Sequence, residues 1–115
     1  MAKAVAGLTY PSESDEPFDV VCWENPEGRT VADVLAARIG TRRKIRVVPV
    51  EEFFGQLEAS EDAPRYRALR RTIETLLKDV AAFRVGEGEV RVDVYVIGRM
   101  GEKWVAGVHS VSVET

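Results

Sequence analysis

Two runs near the end of the chain leave little choice of local structure. Val90-Arg91-Val92-Asp93-Val94-Tyr95-Val96-Ile97 and Trp104-Val105-Ala106-Gly107-Val108-His109-Ser110-Val111-Ser112-Val113 are rich in β-branched residues and alternate in polarity. The segment between them, Gly98-Arg99-Met100-Gly101-Glu102-Lys103, supplies hairpin turn chemistry. A long antiparallel hairpin from Glu89 to Val113 is therefore predicted, and any fold for the 115 residues must be built around it. Upstream, Phe18 to Trp23 is a short apolar run bounded by Pro17 and Asn25-Pro26-Glu27-Gly28, and reads as a buried strand. Ile45 to Val50 reads as another.

Helices fill the intervals. Thr30 caps a helix through Ile39 that Gly40 stops, with Val31, Val34, Leu35 and Ile39 on one stripe. Val50 opens a short helix ending near Leu57 that carries the pair Phe53-Phe54. Pro64 begins the longest helix, in which Tyr66, Leu69, Ile73, Leu76, Leu77, Val80 and Phe83 recur at helical spacing. Arg67, Arg70, Arg71, Glu74 and Lys78 fall on its opposite face. No repeat or Pro/Gly-rich linker divides the chain, so residues 1–115 are expected to form one domain, α+β in class and layered rather than a parallel nucleotide-binding sheet.

Composition narrows function. Sixteen basic and nineteen acidic residues give a net charge of −3, the wrong sign for holding nucleic acid by phosphate neutralisation. The Arg65, Arg67, Arg70 and Arg71 set lacks interleaved aromatics and reads as a solvated helix face. Gly86-Glu87-Gly88-Glu89 leads into a strand and lacks the Lys-Ser/Thr ending of a phosphate loop. His109 has no nucleophile partner in view, and no enzymatic role is expected of it. Trp23, Trp104, Tyr95 and Phe83 read as layer-packing residues. The single cysteine, Cys22, excludes an internal disulfide and reads as a small buried hydrophobe, consistent with a reducing compartment; the cytoplasm is expected. No run is long and apolar enough to span a membrane, and no membrane partner is expected.

Two acidic segments stand out: Ser12-Glu13-Ser14-Asp15 near the start, and Val113-Glu114-Thr115 at the end. Composition alone reads them as a solvated turn and a frayed end. Taken with the Phe18-Asp19-Val20 run ending in Trp23-Glu24, the Phe53-Phe54 pair, the Val90 to Gly98 strand and the Ala106-Gly107 step, they resemble the nuclease A inhibitor family over nearly the whole chain.

The resemblance implies a three-layer α/β/α sandwich similar to the pathogenesis-related-protein-1 fold. It also implies a protein inhibitor of sugar-nonspecific, magnesium-dependent nucleases, acting in a 1:1 complex, monomeric when free and with no cofactor of its own. In that family an acidic loop residue enters the nuclease active site and a terminal threonine reaches the catalytic metal. Glu13 and Thr115 match those elements, with Ser12, Ser14 and Glu114 as flanking contacts; Thr115 would touch only a metal bound by the nuclease. Oxygen donors suit Mg²⁺, and a carboxylate can stand in for a phosphate. The chain departs from the family in Gly55 to Ala63, which is shorter and lacks an aromatic contact residue. A domain of the same fold with a different protein partner is the alternative reading.

Overall fold

The computed structural model describes residues 1–12, 14–40 and 42–114. Its centre is a five-stranded antiparallel sheet in the order β3-β7-β6-β5-β4. The strands are β3 (Asp19–Glu24), β4 (Ile45–Val48), β5 (Lys78–Val85), β6 (Arg91–Met100) and β7 (Trp104–Val113). The predicted hairpin is β6 and β7, paired from Arg91↔Val113 to Met100↔Trp104. A small second sheet pairs β1 (Thr9–Tyr10) with β2 (Glu16–Pro17). The helices are α1 (Ala2–Val5), α2 (Val31–Ile39), α3 (Val50–Leu57) and α4 (Ala63–Leu76). Among the described residues no helix is long and apolar enough to cross a membrane.

Alternation along the strands sends side chains to two unequal faces. On one, Val94, Val96, Ala82 and Val108 meet Phe53 and Phe54 of α3, Tyr66, Leu69 and Ile73 of α4, and Val5 of α1. On the other, Phe83, Val85, Ile97 and Val105 meet Val31, Val34 and Leu35 of α2, with Ile39, Trp23 and Tyr95 packed at the margin. Local sequence accounts for α2 closely. The Asp33 amide donates to Thr30 Oγ1 at 3.2 Å, and Gly40 ends the helix at φ 85° with its amide on the Ala36 carbonyl.

Several expectations are corrected. The chain is a mostly antiparallel five-stranded sheet with a two-stranded one and four short helices, and not the three-layer α/β/α sandwich of the pathogenesis-related-protein-1 type. The reason lies on the second face. Nine-residue α2 covers only part of it, and the polar side chains of Asp93, His109 and Arg43 occupy another part.

The long helix stops at Leu76, because Leu77 turns extended (φ −119°, ψ 152°) and the chain continues as β5 between β4 and β6. Leu77 is therefore buried and Leu76 is 52% exposed. Asp79, at φ 54°, sits in the irregularity between Lys78 and Ala81 that starts this strand. Cys22 is exposed, since β3 is an edge strand, against which short α1 packs. Trp104, at the tip of the hairpin, is 41% exposed.

Candidate functional site

The acidic segment near the start of the chain is a hairpin tip. β1 and β2 pair Thr9↔Pro17 and Tyr10↔Glu16, which leaves residues 11–15 as the connection. Proline at 11 and serine at 12 and 14 suit such a turn. Ser12 Oγ donates to the Ser14 carbonyl at 2.7 Å, and Ser14 Oγ donates to Glu16 Oε1 at 3.1 Å.

Three contacts fix this hairpin against the main structure. Ser110 Oγ, on β7, donates to the Pro17 carbonyl at 2.9 Å, Tyr66 Oη, on α4, donates to the Thr9 carbonyl at 2.5 Å, and the Tyr10 ring stacks on Phe53 of α3 at 5.8 Å.

The far end of the chain comes to the same place. The Val113 amide donates to Ser12 Oγ at 3.0 Å, joining residues 101 positions apart. The Glu114 amide donates to the Val90 carbonyl at 2.7 Å, which extends the β6–β7 ladder by one step. Ser112 Oγ donates to Glu114 Oε2 at 2.8 Å, and the Arg84 guanidinium bonds the same carboxylate. Arg84 also donates to Glu87 Oε1 at 2.5 Å and to Tyr10 Oη at 3.3 Å.

Burial by itself would lower the Arg84 pKa, but its bonds to the Glu87 and Glu114 carboxylates outweigh that and raise it. The bond from Arg84, supported by Arg46, holds the Glu87 carboxyl below the usual range. Burial raises the Tyr10 hydroxyl, with the Arg84 charge opposing.

A depression of about 440 Å³ opens between these elements, lined by Tyr10, Pro11, Ser12, Gln56, Arg84, Ser112, Val113 and Glu114. Beside it a second hollow is lined by Thr9, Pro11, Asp15, Ser60, Glu61, Asp62 and Tyr66. The segment Gly55 to Ala63, singled out for its shortness, thus borders the same corner through Gln56 and Ser60 to Asp62.

Of the sequence-predicted contacts, Ser12, Ser14 and Glu114 are brought together here; Glu13 and Thr115 lie outside the described residues. Arg84, Tyr10, Ser110 and Ser112 were missed. The two serines carried a signal, since both fall on one face of an otherwise apolar strand and both are buried. Arg84 carried none, because the run around it reads as a helix end.

His109 is more engaged than a lone strand histidine: Nε2 lies 2.7 Å from Asp93 Oδ1 and Nδ1 3.5 Å from Asp19 Oδ2. Arg43 Nη1 reaches Asp93 Oδ2 at 2.5 Å. Burial would raise the Asp93 carboxyl, yet the bonds from His109 and Arg43 hold it below its ordinary value. Among the described residues no group of three or more His, Cys, Asp or Glu is placed to hold a metal ion.

The turn bearing Ser12 and the end of β7, 101 positions apart in sequence, thus lie side by side at one end of the sheet. The whole chain, residues 1–115, matches the family described as nuclease A inhibitor-like protein, and it belongs to that family. No curated protein sequence matches the chain.

Proposed function

We propose that this protein, acting as a single domain, inhibits a sugar-nonspecific, metal-dependent nuclease by occupying its active site in a 1:1 complex, with no chemistry of its own. Membership of the nuclease A inhibitor-like family supports inhibition in general. The observation that supports this contact surface is the bond from the Val113 amide to Ser12 Oγ, which brings the turn bearing Ser12 and Ser14 to the end of β7.

In this reading Glu13 enters the nuclease cleft as a phosphate mimic, and Thr115 supplies oxygen to the metal held there. Ser12, Ser14 and Glu114 set the spacing of the two. Arg84 neutralises part of the Glu114 charge, so the strand end can sit close to an acidic hairpin without repelling it. A net charge of −3 suits a cationic, phosphate-binding cleft and disfavours nucleic acid as a direct partner.

The test is titration of the protein into magnesium-dependent, sugar-nonspecific nucleases cleaving a fluorogenic duplex. Stoichiometric loss of cleavage, weakened at least tenfold by Glu13→Ala and by removal of Thr115 at unchanged thermal stability, is expected. Inhibition indifferent to both changes refutes the contact surface. Binding to such nucleases without inhibition would favour an interaction domain with another role.

A further inference from the structure

The last strand of the sheet, β4, is unpaired on its outer side. The Gly86 amide donates to the Lys44 carbonyl at 2.8 Å, so alternation turns the backbone groups of Lys44, Arg46 and Val48 towards β5 and those of Ile45 and Val47 to the open edge. Bare edges of this kind invite another strand, and cationic side chains along them repel a like edge. Arg42 and Lys44 are exposed and, among the described residues, form no ion pair.

Val47 is 62% exposed, the highest value among the large hydrophobic residues. It stands at the mouth of a mostly apolar groove of about 340 Å³ whose walls include Val31, Ala32, Ala81 and Phe83. The groove exists because α2 covers the sheet only from its N-terminal turn onward. A side chain on an added strand, lying next to Val47, would point along this wall.

We infer that the β4 edge is a second docking surface, taking an extended acidic peptide segment of another protein as a sixth strand. Main-chain bonds to Ile45 and Val47 would hold the segment, its carboxylates would face Arg42 and Lys44, and an apolar side chain would enter the groove. Charge decides between occupants. Antiparallel self-pairing through Ile45 and Val47 sets Arg46 against Arg46 and gathers Arg42 and Lys44 of both copies along one seam, whereas an acidic strand neutralises them. The surface is distinct from the acidic corner and does not depend on the inhibitor reading.

The experiment uses the full chain with three labelled probes: a seven-residue peptide alternating Glu and Val, its Lys-Val counterpart, and a short single-stranded DNA. Fluorescence anisotropy should show the Glu-Val peptide binding at least about tenfold more tightly than the Lys-Val peptide and the DNA. At saturation, amide exchange at Ile45 and Val47 should slow, with no change at Lys44 and Arg46, whose amides already face β5. Val47→Pro removes one outward N–H without touching the β5 ladder and should abolish binding. Should that variant fail to fold, N-methylation of alternate residues in the Glu-Val peptide must produce the same loss. Equal binding of the two peptides, tighter binding of the DNA, binding without protection at Ile45 and Val47, or a homodimer that the peptide dissociates would each overturn the inference.

Discussion

Replacing Ser12 by alanine isolates the tether that joins the two halves of the acidic corner. Ser12 Oγ accepts from the Val113 amide at 3.0 Å and donates to the Ser14 carbonyl at 2.7 Å, in half-buried and exposed surroundings respectively. Water can replace the second bond at little cost. The first is worth about 0.5 to 1.5 kcal/mol net, and its loss leaves an amide that solvent reaches only when the hairpin tip lifts. The variant should therefore exchange the Val113 amide about two- to twelvefold faster, with global stability lowered by no more than about 1.5 kcal/mol.

If the tip must be held against β7 to enter a nuclease cleft, the same free energy reappears as lost preorganisation, and the inhibition constant should rise by the same factor. Glu13→Ala removes the contact itself and should cost about 2 to 5 kcal/mol, thirtyfold or more. Ser12→Thr, which keeps the hydroxyl, should restore much of the loss. The measurements are native-state hydrogen exchange and inhibition of a fluorogenic cleavage assay on one set of variants. Unchanged exchange at Val113 in Ser12→Ala would show that the tether bears no strain, and a loss of inhibition as large as that of Glu13→Ala would show that Ser12 is a contact rather than a spacer.

Three further outcomes are expected. Leu77→Ala should destabilise the fold by about 2 to 5 kcal/mol while its exposed neighbour Leu76→Ala costs under about 1, a contrast that urea unfolding resolves and that a helix continuing through both residues would reverse. Gly107→Ala should fail to fold or unfold at much lower denaturant, because its φ of 156° disfavours a side chain and an added Cβ would land on the Val96 carbonyl oxygen and within 2.7 Å of Ile97 Cα; a urea midpoint near that of the parent would contradict this. The Asp93 carboxyl, held below its ordinary value of 3.8 by His109 and Arg43, contributes stability that is present above that value and is lost as pH falls through its lower folded value. Asp93→Asn should thus lower the urea midpoint near neutral pH, and the gap to the parent should narrow as pH falls below 3.8; a gap that stays constant would rule out the linkage.

The parts of the fold that could be read in advance are those whose signals are local. The turn residues between Ile97 and Trp104 and the alternation on either side specify β6 and β7, and Thr30 and Gly40 mark the two ends of α2. The boundary between α4 and β5 has no such mark. Leu76, Leu77, Val80 and Phe83 fit a helical stripe as well as they fit a strand, and no glycine or proline interrupts them. What settles it is non-local: as β5, residues 78–85 close ladders with both β4 and β6, leaving neither with a second bare edge, and bury Phe83 and Val85 beneath α2. The overextended helix has this origin; the third layer was implied by the family resemblance alone, and α2 covers only part of the face where it would lie.

The acidic corner shows the same division. Its two segments were visible as unusual composition at opposite ends of the sequence, but the buried polar groups that make one surface of them were not. Ser112, near the end of β7, and Arg84, just past a run that reads as apolar helix, converge on the Glu114 carboxylate because β5 and β7 flank β6 and turn alternate residues to one face. Arg84 is the pivot of that meeting. With its side chain only 15% exposed, it bridges Glu87 from the β5–β6 turn and Glu114 from the end of β7, and its charge lets these two carboxylate-bearing segments approach one another. Replacing it with methionine would preserve the apolar stem and leave the Glu114 carboxylate with Ser112 Oγ as its remaining partner, while the Glu114 amide stays on the Val90 carbonyl and the Val113 amide on Ser12 Oγ. The geometry of this corner is therefore specified as much by a half-buried cation as by the exposed acids that composition reveals.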